Sequence, residues 1–112
     1  MHKNENNFMD KSIGDKRRQF SQMQAMLIQY AHFLGYECAV DFVKRCEDCQ
    51  VGKANSVHKL GLAMDLNLYL DGHYLTEEWP HADLHALWDL LGGAERIPGD
   101  MNHYSISHGG MR

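Results

Sequence analysis

Long apolar runs are missing from this 112-residue chain. No stretch approaches the ~18–20 consecutive apolar residues that cross a bilayer, and the opening MHKNENNFMDKSIGDKRR has no apolar centre of a secretory leader. The expectation is a product made and left in the cytoplasm, without stable membrane association. A basic excess is missing as well. Eleven Lys and Arg stand against fifteen Asp and Glu, a formal charge of -4, which argues against a nucleic-acid partner. The one basic stretch, Lys16, Arg17 and Arg18, reads as the solvated first turn of a helix. Cysteines number three, Cys38, Cys46 and Cys49, and an odd set does not suggest a disulfide framework. Repeats and low-complexity tracts are absent too. What is present is a hydrophobic share of 44% and eight histidines. The first suffices for the core of one small domain, and the second is high for a chain this short.

The pattern along the chain gives an α+β class. Residues 1–14 are expected as a flexible N-terminal segment and 15–112 as the folded domain. From Asp15 to Leu34, Phe20, Met23, Leu27, Tyr30, Ala31 and Leu34 recur at steps of three and four, the stripe of an amphipathic helix, with Gly35 at its C-cap. The stripe's neighbour Met26 is assigned to core packing with Met23 and Leu27. Tyr36 to Val43 reads as a short strand, and Lys44 to Ser56 as a loop. Leu62 to Leu70 alternates strictly: Leu62, Met64, Leu66, Leu68 and Leu70 point one way, Ala63, Asp65, Asn67 and Tyr69 the other. Asp71-Gly72 predicts a tight hairpin turn into His73, Tyr74 and Leu75. A second helix is expected from about Thr76 or Pro80 to Leu91, with Pro80 in its first turn, Leu84, Leu87, Trp88 and Leu91 inward, and Gly92-Gly93 ending it. His103 to Ser107 alternates again as a closing strand. The architecture expected is a small antiparallel sheet with helices packed on one side.

Chemistry concentrates around the alternating strand. Asp65 lies on its polar face beside the small Ala63, and His58 sits at its entry after Ser56-Val57. A catalytic zinc site uses three ligands drawn from His and Asp/Glu and keeps a fourth position for water. The mixed nitrogen and oxygen set suits zinc better than magnesium or calcium. His103, opening the closing strand, is the best candidate for the third ligand. Asp100, three residues earlier across a turn, could reach the water and take its proton during attack on a carbonyl. Against this stand blander readings. Cys46-x-x-Cys49 lacks the helix start of a redox motif and reads as free thiols, with a structural zinc completed by Cys38 and a histidine as the sharper rival. His2, His32, His73, His81 and His85 read as ordinary surface or packing histidines, and Trp79 and Trp88 as core or cleft wall.

Taken together, Ser56-x-His58-x-x-Gly61-x-Ala63-x-Asp65 and Asp100-x-x-His103 resemble the zinc peptidases of the VanY-type D-alanyl-D-alanine carboxypeptidase group, whose fold is shared with the hedgehog signalling domain. The nearest likeness is to the small phage endolysins of that group, the L-alanyl-D-glutamate peptidases, and it runs from about residue 35 to residue 112. The resemblance implies Zn2+ held by His58, Asp65 and His103, Asp100 as general base, and Ser56 as a supporting hydrogen-bonder. It implies a substrate-binding cation after the first strand, for which Arg45 is the nearest match and Lys44 the fallback. His108 is a candidate substrate contact, set against the reading of a surface histidine. The implied partner is a peptidoglycan stem peptide, cut by a monomer that is made in the host cytoplasm and reaches the wall after a holin-type lesion. A D-Ala-D-Ala carboxypeptidase and a non-catalytic metal-containing binding module are the alternatives.

Overall fold

The computed structural model describes residues 11–41, 57 and 60–112. The first helix, α1, runs Ile13–Phe33, starting two residues before the expected Asp15 because Ser12 caps it: the Asp15 N–H donates to Ser12 Oγ at 3.1 Å. A side-chain oxygen in that place satisfies an N–H that the first turn otherwise leaves without a partner. At the other end Gly35 takes a φ of 100°. There the Tyr36 N–H reaches Ala31 O and the Gly35 N–H reaches His32 O, both at 3.0 Å, the paired bonds of a Schellman stop. Phe20, Met23, Leu27 and Ala31 face inward. Met26, assigned to the core from sequence, is instead 48% exposed. It sits one residue, about 100° of helical rotation, from the stripe that Leu27 defines.

Among the described residues four strands form one antiparallel sheet: β1 (Glu37–Asp41), β2 (Ala63–Leu70), β3 (His73–Tyr74) and β4 (His103–Ser105). β2 is central. β1 pairs along one side, from Glu37 opposite Tyr69 to Asp41 opposite Asp65, while β3 and β4 share the other side at opposite ends. The β2–β3 turn uses positive φ at both Asp71 (51°) and Gly72 (80°), the backbone that matches strand twist in a two-residue hairpin.

The leucine face of β2 is the core face. Leu62, Met64, Leu66 and Leu68 are fully buried with Tyr104 of β4, Ile106, the α1 stripe, and Leu84 and Trp88 of the second helix. Leu70 ends the alternation at the hairpin and is exposed. That helix, α2, spans Pro80–Leu90 with Pro80 in its first turn, where a missing N–H costs nothing. The molecule is thus a small α+β domain with an antiparallel sheet and both helices packed against one face, as the pattern predicts.

Trp88 ties the layers together. Its indole Nε1–H donates to Ser105 O at 2.8 Å, and its ring meets Phe20 and Tyr104 edge-on at centroid distances of 5.8 and 5.7 Å. The chain leaves α2 so close to this ring that a Cβ built on Gly93 would stand 2.1 Å from Trp88 Nε1. Gly93→Ala is therefore expected to lower stability by about 1–3 kcal/mol through overpacking, read as a shift of the urea midpoint at unchanged slope. Gly99→Ala has open space around it but a φ of 80°; it would carry backbone strain alone.

Candidate metal centre

Pairing across the sheet puts three chemistry-bearing residues in one row. Asp65 of β2 lies directly between Asp41 of β1 and His103 of β4, and directly paired residues project to the same face. That face is the one opposite the leucines, where strand alternation places Asp65. The His103 ring is almost enclosed, at 7% exposure, and the Asp65 carboxylate is 19% exposed; His103 Nδ1 stands 3.7 Å from Asp65 Oδ1. Two donors on a tetrahedral zinc, with bonds near 2.0–2.2 Å, lie roughly 3.3–3.5 Å apart. A side-chain adjustment of a few tenths of an ångström would let this pair share one ion.

The backbone entering β4 is tightly turned. The Asp100 N–H donates to Ile97 O at 2.9 Å, and the His103 N–H donates to Asp100 O at 3.1 Å. The turn that delivers His103 thus begins at the exposed Asp100, with Met101 and Asn102 between them. Asn102 is held twice to β2. Its carbonyl accepts from the Leu66 N–H at 2.8 Å, and its amide Nδ2 donates to Asn67 Oδ1 at 2.9 Å. Beside this turn lies a shallow cleft of about 180 Å³ that includes Tyr74, Glu78, His81, Gly99 and Asn102.

Of the other residues singled out from sequence, His58, Ser56, Arg45, Lys44, Cys46 and Cys49 lie outside the described residues. Val57 does not. It is fully buried, and its carbonyl accepts from the N–H groups of Leu60 (3.1 Å) and Leu62 (3.0 Å), anchoring the approach to β2. Among the described residues no group of three His, Cys, Asp or Glu side chains is arranged to hold a metal; the described part of the expected ligand set is the Asp65–His103 pair. Cys38 is half-buried on the core face opposite Leu68. Burial pushes its thiol up from the ordinary range, away from the thiolate a soft metal takes. His108 lies against α1, its Nδ1 3.1 Å from Lys16 Nζ, while Lys16 also donates to Ser107 O. Trp79, expected in the core or a cleft wall, is 68% exposed at the head of α2, where it lines a second cleft with Arg96 and Pro98.

His81 and His85, expected as ordinary surface or packing histidines, are both buried. His81 and His85 lie one turn apart on α2 and both contact Tyr104. The Tyr104 hydroxyl is 2.6 Å from His81 Nδ1. Burial holds the phenol protonated by pushing its pKa upward, and burial, with the neighbouring His85, depresses His81 from 6.5 to about 4. His85 stacks on the Tyr104 ring at 4.2 Å and 17°, and its Nε2 lies 2.7 Å from Met101 O. Burial lowers its pKa too, only partly offset by that carbonyl. A helix-period sequence can place two histidines on one face, but it cannot show that Tyr104 and Met101 come to meet them.

A depressed histidine makes stability depend on pH with a definite sign. Between pH 6.5 and about 4 the unfolded chain binds the His81 proton and the folded one does not, so stability rises with pH across that window and is lost as pH falls through it. Thermal melts from pH 7 to 4 should show a falling Tm. His81→Gln should flatten that slope; an equal slope in the variant removes His81 as its source.

No family model, curated protein or solved structure matches the chain.

Proposed function

We propose that the chain is a zinc-dependent peptidase acting on peptidoglycan stem peptides, most simply a phage-type endolysin cutting the L-Ala-D-Glu bond. The observation that carries the reading is the cross-strand placement of Asp65 opposite His103, their polar atoms 3.7 Å apart, with Asp100 at the head of the turn that delivers His103. The sequence motif around His58 and the likeness to the VanY-type group support the same reading. The donor set suits zinc: one carboxylate and one imidazole, both largely enclosed side chains, share one face of the sheet, and His58 would complete a three-ligand shell with an open position.

Zinc bound there supplies Lewis-acid activation of water and of the peptide carbonyl. The remaining work falls to this chain. Asp65 and His103 would hold the ion from two directly paired strands. Asp100 accepts the proton as the water attacks and returns it to the departing amine, so that one carboxylate serves both halves of the hydrolysis. Ser56 and either Arg45 or Lys44 would hold the substrate. A non-catalytic binding module is the second reading; the carboxylate at Asp100 favours the enzyme, because metal retention alone does not require it.

The test uses the full chain. Purified peptidoglycan should release new amino groups with the zinc-loaded protein and not with chelator present, and mass spectrometry of the muropeptides names the bond. Inert protein at full zinc loading would sink the enzyme reading. Separately, His58→Ala and His103→Ala should each lose stoichiometric zinc; retention in both overturns the ligand set.

A further inference from the structure

We infer that His85 is a positioning residue for the Asp100–His103 turn, its ring N–H latching the Met101 carbonyl while Tyr104 holds the ring in place. The inference rests on the reading of Asp100 and His103 given above. Its geometry is independent of that reading.

The hydrogen bond has only one possible polarity. A carbonyl oxygen accepts, so the proton is on Nε2, and the 2.7 Å separation from Met101 O is that of a well-formed bond. Nδ1 of the same ring is buried with no hydrogen-bond partner among the described residues. A ring free to rotate could turn either nitrogen to the carbonyl. This one is fixed, because it lies nearly parallel to Tyr104 at 4.2 Å and is 2% exposed.

What the latch restrains is specific. Met101 lies between Asp100 and His103, the two residues whose spacing the chemistry uses. The turn is pinned to β2 through both the carbonyl and the side chain of Asn102. His85 supplies a second restraint, from α2. Together they clamp a four-residue turn between two elements that are themselves fixed by the core. A misplacement of about 1 Å in a reacting group can cost about 10²-fold in rate, so restraints at Met101, next to Asp100, and at Asn102, next to His103, are where such precision would be set.

Two variants separate this role from packing. His85→Phe keeps a ring on Tyr104 and removes the donor; His85→Gln keeps an N–H at comparable reach. The first readout is amide hydrogen exchange in the metal-free full chain. His103 N–H, bonded to Asp100 O, should exchange at least tenfold faster in His85→Phe and near the wild-type rate in His85→Gln, with core amides of β2 unchanged. The second is kinetic: His85→Phe should lose about 10–10²-fold in kcat at nearly constant KM, and His85→Gln should recover most of it. Unchanged His103 exchange in His85→Phe overturns the proposal, as does a uniform loss of protection over the whole core that Gln does not rescue. Nitrogen NMR of wild type gives a check that needs no variant: His85 should be the neutral Nε2–H tautomer with a slowly exchanging ring proton, and the Nδ1–H tautomer would overturn the latch. If wild type has no peptidase activity, the functional reading fails while exchange and tautomer still judge the latch.

Discussion

Asp100→Ala should lower peptidoglycan hydrolysis by about 10²–10⁴-fold, the span that general acid–base groups contribute, while leaving zinc content and melting temperature near wild type. The separation is expected because of how the turn is built. Both hydrogen bonds of Asp100 that form the turn belong to its backbone, through N–H to Ile97 O and through the carbonyl from the His103 N–H, and alanine keeps them. The residue itself is exposed, so truncating its side chain opens no cavity. Asp100→Asn should match the alanine variant in rate, since an amide preserves shape but cannot take the proton. Hydrolysis by Asp100→Ala at the wild-type rate would remove Asp100 from the chemistry, and the enzyme reading would lose its main support.

Trp88→Ala should have the largest effect on folding, about 3–5 kcal/mol, as for other buried aromatic truncations. The side chain is fully buried, touches Phe20 of α1 and Tyr104 of β4, and donates to Ser105 O. Its loss would empty the junction of both helices and the sheet and leave that carbonyl without its indole donor. Against a typical net stability of about 5–15 kcal/mol, little would remain at 37 °C. Trp88→Phe isolates one part of this: it keeps most of the ring and loses the donor, with an expected cost of about 1–3 kcal/mol. Urea titration of both variants checks the pair, and a Trp88→Ala loss below 1 kcal/mol would contradict the packing described.

The backbone plan was readable because each element carries its own local signal. Period two in Leu62 to Leu70 identifies β2 and its inward face, and Pro80 and Gly92 bracket α2. Asp65 on the polar face follows from that same alternation. Its proximity to His103 does not; it depends on the register of β2 against β4, which no local pattern encodes. Some side chains went the other way. Met26 is hydrophobic by type but sits off the packed face, and apolar residues are common on surfaces. Ala63 shares Asp65's face yet is buried, opposite the equally buried Ser105. His81 and His85 flank the apolar stripe of α2, which allows packing but names no partner, and only the arrival of Tyr104 and Met101 makes their burial tolerable.

The central place of β2 also orders events in time. Its hairpin with β3 is a local contact that can close within microseconds of chain collapse. The pairing with β4 is not local: Asn67 and Asn102 are 35 residues apart in sequence, and contacts at that separation must first overcome the entropy of closing the intervening loop. Asp65 therefore meets His103 late. A partly folded chain with helices and hairpin in place would still lack the Asp65–His103 pair, so, if the proposed zinc site holds, metal uptake on refolding should track the slowest phase of folding rather than the first gain of secondary structure.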